Sequence, residues 1–190
     1  IGRNGEQNLL LVGDGMGGFT AGNTFGLDET GNARTVSWVD YDRDGLLDLY
    51  VVNNGGANAM YKYHGVLGGG FLVFAAVSNS SDVTGNHSGV AWNDIDGDGY
   101  MDMYLLTQYG SNLLLQNTPL GFSDVTSLAN LGDTGNAMGA DWGDFDNDGD
   151  FDLYLTNDGN ADRLWRTNDW DAYSLVIGDN ARVDAEIETR

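Results

Sequence analysis

The chain has 190 residues, and its 29 acidic against 8 basic residues give a formal charge of −21. Only four of the acids are Glu, so Asp dominates; Gly also appears 29 times, with a single Pro and no Cys. This balance excludes disulfides, thiolate metal sites and Cys nucleophiles, and it disfavours nucleic acid and anionic membrane as direct partners, because both are polyanions. With 41% hydrophobic residues and five Trp the chain carries enough apolar surface for a core rather than disorder. Its longest apolar run, Phe71 to Val77, is far short of the ~20 residues a membrane span needs.

Three segments align without gaps. They read T-G-N-A-R-T-V-S-W-V-D-Y-D-R-D-G-L-L-D-L-Y-V-V from Thr30, T-G-N-H-S-G-V-A-W-N-D-I-D-G-D-G-Y-M-D-M-Y-L-L from Thr84, and T-G-N-A-M-G-A-D-W-G-D-F-D-N-D-G-D-F-D-L-Y-L-T from Thr134. A second landmark follows each: Asn58, Asn112 and Asp162 each lie ten residues after the last Asp of the preceding loop, and Asn8 opens the same pattern ahead of the first loop. The texture within a repeat is that of strands. Thr35 to Val39 and Ser88 to Trp92 mix small, β-branched and Trp residues. Leu49 to Val52, Met103 to Leu106 and Leu153 to Thr156 follow the Asp loops. Turns are expected at Asn53 to Gly56, Tyr109 to Ser111 and Asn157 to Asn160. Third strands such as Leu113 to Leu115 come next, and fourth strands lie near Phe19, Phe71 to Phe74 and Phe122 to Val125. No helical periodicity persists over three turns, so almost no helix is expected. Gly89 and Gly139, three residues ahead of Trp92 and Trp142, mark either close approach on an inner strand or bulges. Four short antiparallel strands per repeat of about fifty residues read as the blade of a β-propeller. The fold class is thus all-β, with about three and a half blades. Units are drawn at about 8–57, 58–111 and 112–161, with a partial unit at 162–170. Residues 171–190 form a strand-like tail, read as the start of another module or an inter-chain strand.

Each repeat carries D-x-D-x-D-G-x-x-D: Asp40, Asp42, Asp44 and Asp48; Asp94, Asp96, Asp98 and Asp102; Asp144, Asp146, Asp148 and Asp152. Carboxylates so close repel one another unless a counter-ion joins them. Hard oxygen ligands in a short loop suit Ca²⁺. The Gly at position 6 permits the turn, position 7 (Leu46, Tyr100, Asp150) offers a backbone carbonyl, and position 9 closes the site. Position 12 is Val51, Leu105 and Leu155, where an EF-hand needs a bidentate Glu, so an EF-hand is rejected. Zn²⁺ would want His or Cys, and His64 and His87 are read as exposed turn histidines.

These loops, the D-L-Y-V-type strand after them and the period of about fifty residues resemble the FG-GAP/VCBS repeat family, the blade repeat of integrin α-chain-like β-propellers. Segment three is especially similar to the bacterial-type blade, and Asp162 to Asn168 resembles that family's third strand. Residues 68–70, a triple Gly, depart from its shorter outer turn. The resemblance implies one structural Ca²⁺ in the hairpin between the first two strands of each blade, about three in all. It also implies extracellular or cell-surface placement and roles in adhesion or ligand binding.

No catalytic set stands out. Asp14, Asp28, Asp124, Asp141 and Asp158 lie outside the loops, and nothing pairs any two of them for glycoside cleavage. Tyr50, Tyr104 and Tyr154, like Trp38, Trp92 and Trp142, recur at one position each; packing between blades is favoured over a sugar platform. Asn79 and Asn86 sit in N-glycosylation sequons. The expected function is an extracellular calcium-binding repeat module, not an enzyme. A subunit of a self-assembling filament or surface layer, and a lectin or non-catalytic part of a polysaccharide-active enzyme, are the alternatives. Expected partners are further blades or neighbouring copies, and a protein or glycan ligand, with no membrane insertion. Closed propellers need four to eight blades, and the start at Ile1 without Met favours a longer chain.

Overall fold

Strand 2 of each repeat is a run of large apolar residues with no polar alternation, which is the pattern of a strand buried on both faces. A computed structural model describes residues 8–22, 24–27, 31–78, 83–169 and 172–177 and places those runs at the middle of stacked sheets. Three antiparallel units of four strands follow one another along the chain, the first two joined into one continuous sheet by pairing of strand 2 of the first with the opening strand of the second. The first joins β4 (Ala33–Val39), β5 (Asp48–Ala57), β6 (Ala59–Leu67) and β7 (Phe71–Val77). The second joins β8 (Thr84–Asn93), β9 (Asp102–Thr107), β10 (Leu113–Thr118) and β11 (Gly121–Asp124). The third joins β12 (Ala137–Gly143), β13 (Asp152–Asn157), β14 (Arg163–Asp169) and β15 (Ala172–Ile177). Ahead of them β1 (Leu11–Gly13) and β2 (Phe19–Ala21) form a hairpin, and β3 (Thr24–Phe25) runs parallel to β7. One four-residue helix, α1 (Thr126–Ala129), follows β11.

This is the all-β blade architecture read from the sequence, with its phase shifted. The four-strand units span 33–77, 84–124 and 137–177, so boundaries drawn at Asn58, Asn112 and Asp162 divide each between its second and third strands. The half-blade lies at the N-terminal side: β1 and β2 stand after Asn8 as the third and fourth strands stand after Asn58 and Asn112. Residues 172–177 of the tail are the outermost strand of the third blade; residues 178–190 lie outside the described residues. The turn expected at Asn53 to Gly56 is strand instead. β5 runs on to Ala57 because its end pairs with the start of β8, Asn54 opposite Asn86 and Ala57 opposite Thr84. Each inner strand has a register shift, between Ala33 and Thr35, His87 and Gly89, and Ala137 and Gly139. Gly89 and Gly139 serve both suggested roles. They follow a bulge, and a Cβ there would meet Leu106 at 3.2 Å or the Thr156 hydroxyl at 3.1 Å.

The core lies between blades. Tyr50, Val52 and Met60 of blade one pack with Met103, Leu105 and Phe122 of blade two. Tyr104, Leu106 and Leu114 of blade two pack with Leu153, Leu155 and Trp165 of blade three. Leu49, Val51 and Tyr61, on the opposite face of blade one, meet Leu27. The recurring contact is a Tyr of one blade against the Trp of the next: Tyr50 to Trp92 at 5.5 Å and Tyr104 to Trp142 at 6.1 Å, both edge-on. Tyr50 and Tyr104 are fully buried, so they are core residues and offer no sugar-stacking surface. Among the described residues neither Trp38 nor Tyr154 makes this contact: Trp38 tilts against Phe74 of its own blade at 6.3 Å and is 46% exposed, and Tyr154 is 44% exposed.

The second landmark of the repeat ties strand 2 to the start of strand 3. Asn58, Asn112 and Asp162 accept the backbone N–H of Asn53, Thr107 and Asn157 at 2.8, 2.8 and 2.9 Å. The amides of Asn58 and Asn112 also donate to the hydroxyls of Tyr50 and Tyr104. In blade three the direction reverses, and the Tyr154 hydroxyl donates to the Asp162 carboxylate. Blades are stitched at the same level: Asn58 N–H donates to Val83 O, and Asn112 N–H to Asp133 O.

His87 corrects an expectation. It is 2% exposed in β8, with Nδ1 3.3 Å from Asn58 Oδ1, because its turn continues directly into the inner strand at the joint of blades one and two. His64 is exposed as expected. Burial pushes the His87 imidazole below its ordinary value, so its neutral form belongs to the fold. A depressed folded value gives stability that is present above about 6.5 and lost as pH falls through the lowered value. Melting scans from pH 7.5 down to 5 should therefore show an acid loss that His87→Ala, the residue its sister strands carry at 33 and 137, diminishes.

Candidate metal centres

Each Asp loop connects the first and second strands of its blade. Position 9 begins strand 2 and is the anchor. Asp48, Asp102 and Asp152 are at most 1% exposed, and each holds a backbone N–H of strand 3, that of Tyr63, Asn117 or Thr167, at 2.7–2.9 Å. Asp102 and Asp152 also hold the loop's own second residue, through Ile95 N–H at 2.9 Å and Phe145 N–H at 3.0 Å. Position 1 turns the loop: Asp40, Asp94 and Asp144 accept the N–H of Gly45, Gly99 and Gly149 at 3.0, 3.0 and 3.1 Å. Those glycines have φ of 84°, 89° and 101°, and position 4 (Arg43, Gly97, Asn147) is left-handed too, at 64°, 71° and 60°. Only Gly takes such values without steric cost; Asn accepts them readily.

The result brings three carboxylates of each loop together. Ligand oxygens of Asp40, Asp42 and Asp48 lie within 4.8 Å of one another, as do those of Asp94, Asp96 and Asp102 and those of Asp144, Asp146 and Asp152. Position 5 stands beside each triad: Asp44, Asp98 and Asp148 accept the N–H of Leu46, Tyr100 and Asp150 at 2.9, 2.8 and 3.1 Å. Burial is the main cause that raises the Asp48 carboxyl to about 6 and the Asp102 carboxyl to about 7, with the neighbouring loop carboxylates adding to it. Asp152 shifts the same way. Asp94 Oδ1 and Asp146 Oδ1 are buried and accept no hydrogen bond, although buried acceptors are ordinarily satisfied. A hard divalent cation fits these sites: it would satisfy the idle oxygens and offset the crowding of like charges.

The motif shows nothing of the side chains that lean over the loops. Lys62 pairs with Asp42 and with Asp44, the latter at 2.8 Å; Gln116 donates to Asp96 at 2.6 Å; Arg166 Nε lies 2.6 Å from Asp146. Each stands fourteen residues after the last Asp of its loop, and that fixed spacing is the signal that could have found them. Arg43 reaches from the first loop to the second, donating to Asp98 O at 2.8 Å with its guanidinium 4.9 Å from the Tyr100 ring centre. Of the sequons, Asn86 is an exposed residue of β8 and Asn79 lies outside the described residues.

Among the described residues no helix is long and apolar enough to cross a membrane. No curated protein is a significant match to the chain. The profile of the FG-GAP-like repeat matches twice, over residues 45–105 and 94–155. Each match runs from one Asp loop through the next strand 2, which is the period seen in the sheets, and together they span more than half of the 190 residues. The chain belongs to the FG-GAP-like repeat family, and its three stacked blades are a β-propeller repeat module.

Proposed function

We propose that the protein is an extracellular calcium-binding repeat module with a structural, adhesive or ligand-binding role, and that it is not an enzyme. The observation that carries this reading is the carboxylate triad repeated in all three blades. Asp at positions 1, 3 and 9 would hold one Ca²⁺ per loop, with position 5 and the position-7 carbonyl as the further ligands the family implies. The ion would supply positive charge where buried carboxylates crowd. The chain's own residues do the rest: position 9 ties the loop to strand 3, and position 1 sets its turn. The carboxylate chemistry repeats with the blades, in the same three positions of each loop. Incubation with a glycan array and with a hydrolase substrate panel, each in calcium and in EGTA, tests the assignment. Saturable calcium-dependent binding without turnover supports a lectin-type binding role; turnover contradicts the non-enzymatic reading.

A second reading, assembly with further blades or with neighbouring copies, is favoured by the two exposed ends. Among the described residues Trp38 and Tyr154 do not make the Tyr–Trp contact that joins the blades twice, and partly exposed aromatic surface of this kind invites association.

Protons should compete with the ion. The Asp48 and Asp102 carboxyls are held near 6 and 7 without it, and a bound cation lowers such values. Calcium binding at pH 6.5 is therefore expected to release protons and binding at pH 8 to release almost none, read as buffer-dependent calorimetric heats at the lower pH only.

A further inference from the structure

The fourth residue of each third strand reaches back over its own Asp loop, and it differs in charge from blade to blade. In blade one Lys62 contacts both Asp42 and Asp44. In blade three Arg166 lies 2.6 Å from Asp146 and 3.4 Å from Asp148. In blade two the equivalent residue is Gln116, which donates to Asp96 at 2.6 Å and carries no charge. The contacts fall on position 3 in all three loops and on position 5 as well in blades one and three. Arg43 is the one other described cation at the second loop, and it engages the Asp98 carbonyl and the Tyr100 ring rather than a carboxylate.

We infer that this position sets the cation affinity of each loop: Lys62 and Arg166 act as tethered cations that a metal ion must displace or tolerate, and Gln116 leaves the second loop free to load first. The inference rests on the calcium reading above. A unit charge a few ångströms from a bound ion opposes it directly. The opposition is stronger at Lys62, which is half-buried, than at Arg166, whose side chain is 47% exposed and screened by solvent. The third loop carries a fifth carboxylate at Asp150, which offsets Arg166 in part. The loading order is then second loop, third loop, first loop.

The position-6 glycines report each loop separately, since Gly45, Gly99 and Gly149 donate to the position-1 carboxylates. Their backbone amide resonances, followed through a Ca²⁺ titration of the whole chain, should shift at the lowest calcium for Gly99 and at the highest for Gly45. Lys62→Gln should move the Gly45 midpoint down by ~10-fold and leave Gly99 in place, and Gln116→Lys should move the Gly99 midpoint up by a similar factor. Calorimetry on the same variants should return unchanged stoichiometry with altered affinity. If the three glycines shift with calcium but titrate together, or if both substitutions leave the midpoints unmoved, the inference is overturned while calcium binding stands. If no glycine responds to calcium, the calcium reading fails and this inference with it.

Discussion

Chelating calcium with EGTA is expected to lower the melting temperature by roughly 20 °C. An ion that binds only the native state stabilises it by ~2.7 kcal/mol at a hundredfold excess over Kd, so three sites give ~8 kcal/mol, and each kcal/mol shifts the transition of a chain this size by about 2–4 °C. The physical source is in the loops. Three buried position-9 carboxylates, Asp48, Asp102 and Asp152, each sit in a triad with two further Asp of the same loop. Three Ca²⁺ would also bring the formal charge from −21 to −15, which reduces self-repulsion across an acid-rich surface. Differential scanning calorimetry at pH 7.5 in millimolar calcium and in EGTA measures the shift. An unmoved transition would mean that the loops close without a cation.

Tyr104→Ala should destabilise the fold by ~3–5 kcal/mol, and Tyr154→Ala by less than ~1 kcal/mol, although both residues hold the same place in the repeat. Tyr104 is fully buried; its ring packs edge-on against Trp142, and its hydroxyl donates to Leu131 O and accepts from Asn112. Removing it opens a cavity between two blades and leaves the Leu131 carbonyl without that partner. Among the described residues no blade packs on Tyr154, which is 44% exposed with Asp162 as its hydroxyl partner. Urea denaturation of both variants gives the contrast directly. A large cost at both positions would show that the face of the third blade is covered in solution by further blades or a second copy. A small cost at both would contradict the blade-on-blade core.

The parts of this structure legible in the sequence are those that repeat with strong chemical constraint. Four Asp at fixed spacing around a Gly, followed by an apolar strand, are readable because each position has one job: Asp at position 9 clamps strand 3, and Gly at position 6 takes a left-handed turn. Tyr50 and Tyr104, with Trp92 and Trp142, were legible as packing between blades for the same reason, since neighbouring blades reuse one contact; Trp38 and Tyr154 hold the same places and are exposed. What was hidden depends on what lies across the chain. The phase of the blades was hidden because Asn58 and Asn112 look like starts, whereas they tie strand 2 to strand 3 within one blade. The strand through Asn53 to Ala57 was hidden because Gly and Asn read as a turn, while pairing with β8 extends β5. His87 was misread because a T-G-N-H turn looks exposed, and only the packing of blade one against blade two buries it. Lys62, Gln116 and Arg166 escape any motif, because what recurs is their place on strand 3 and not their residue type.

The most direct test of the central claim is the number of calcium ions held by the native chain. Equilibrium dialysis against radioactive calcium at pH 7.5 should find about three per chain, and Asp42→Asn, Asp96→Asn and Asp146→Asn together should abolish that binding while leaving an all-β circular dichroism spectrum. A native chain that retains no calcium at millimolar free ion, or a triple variant that still binds three, would contradict the account.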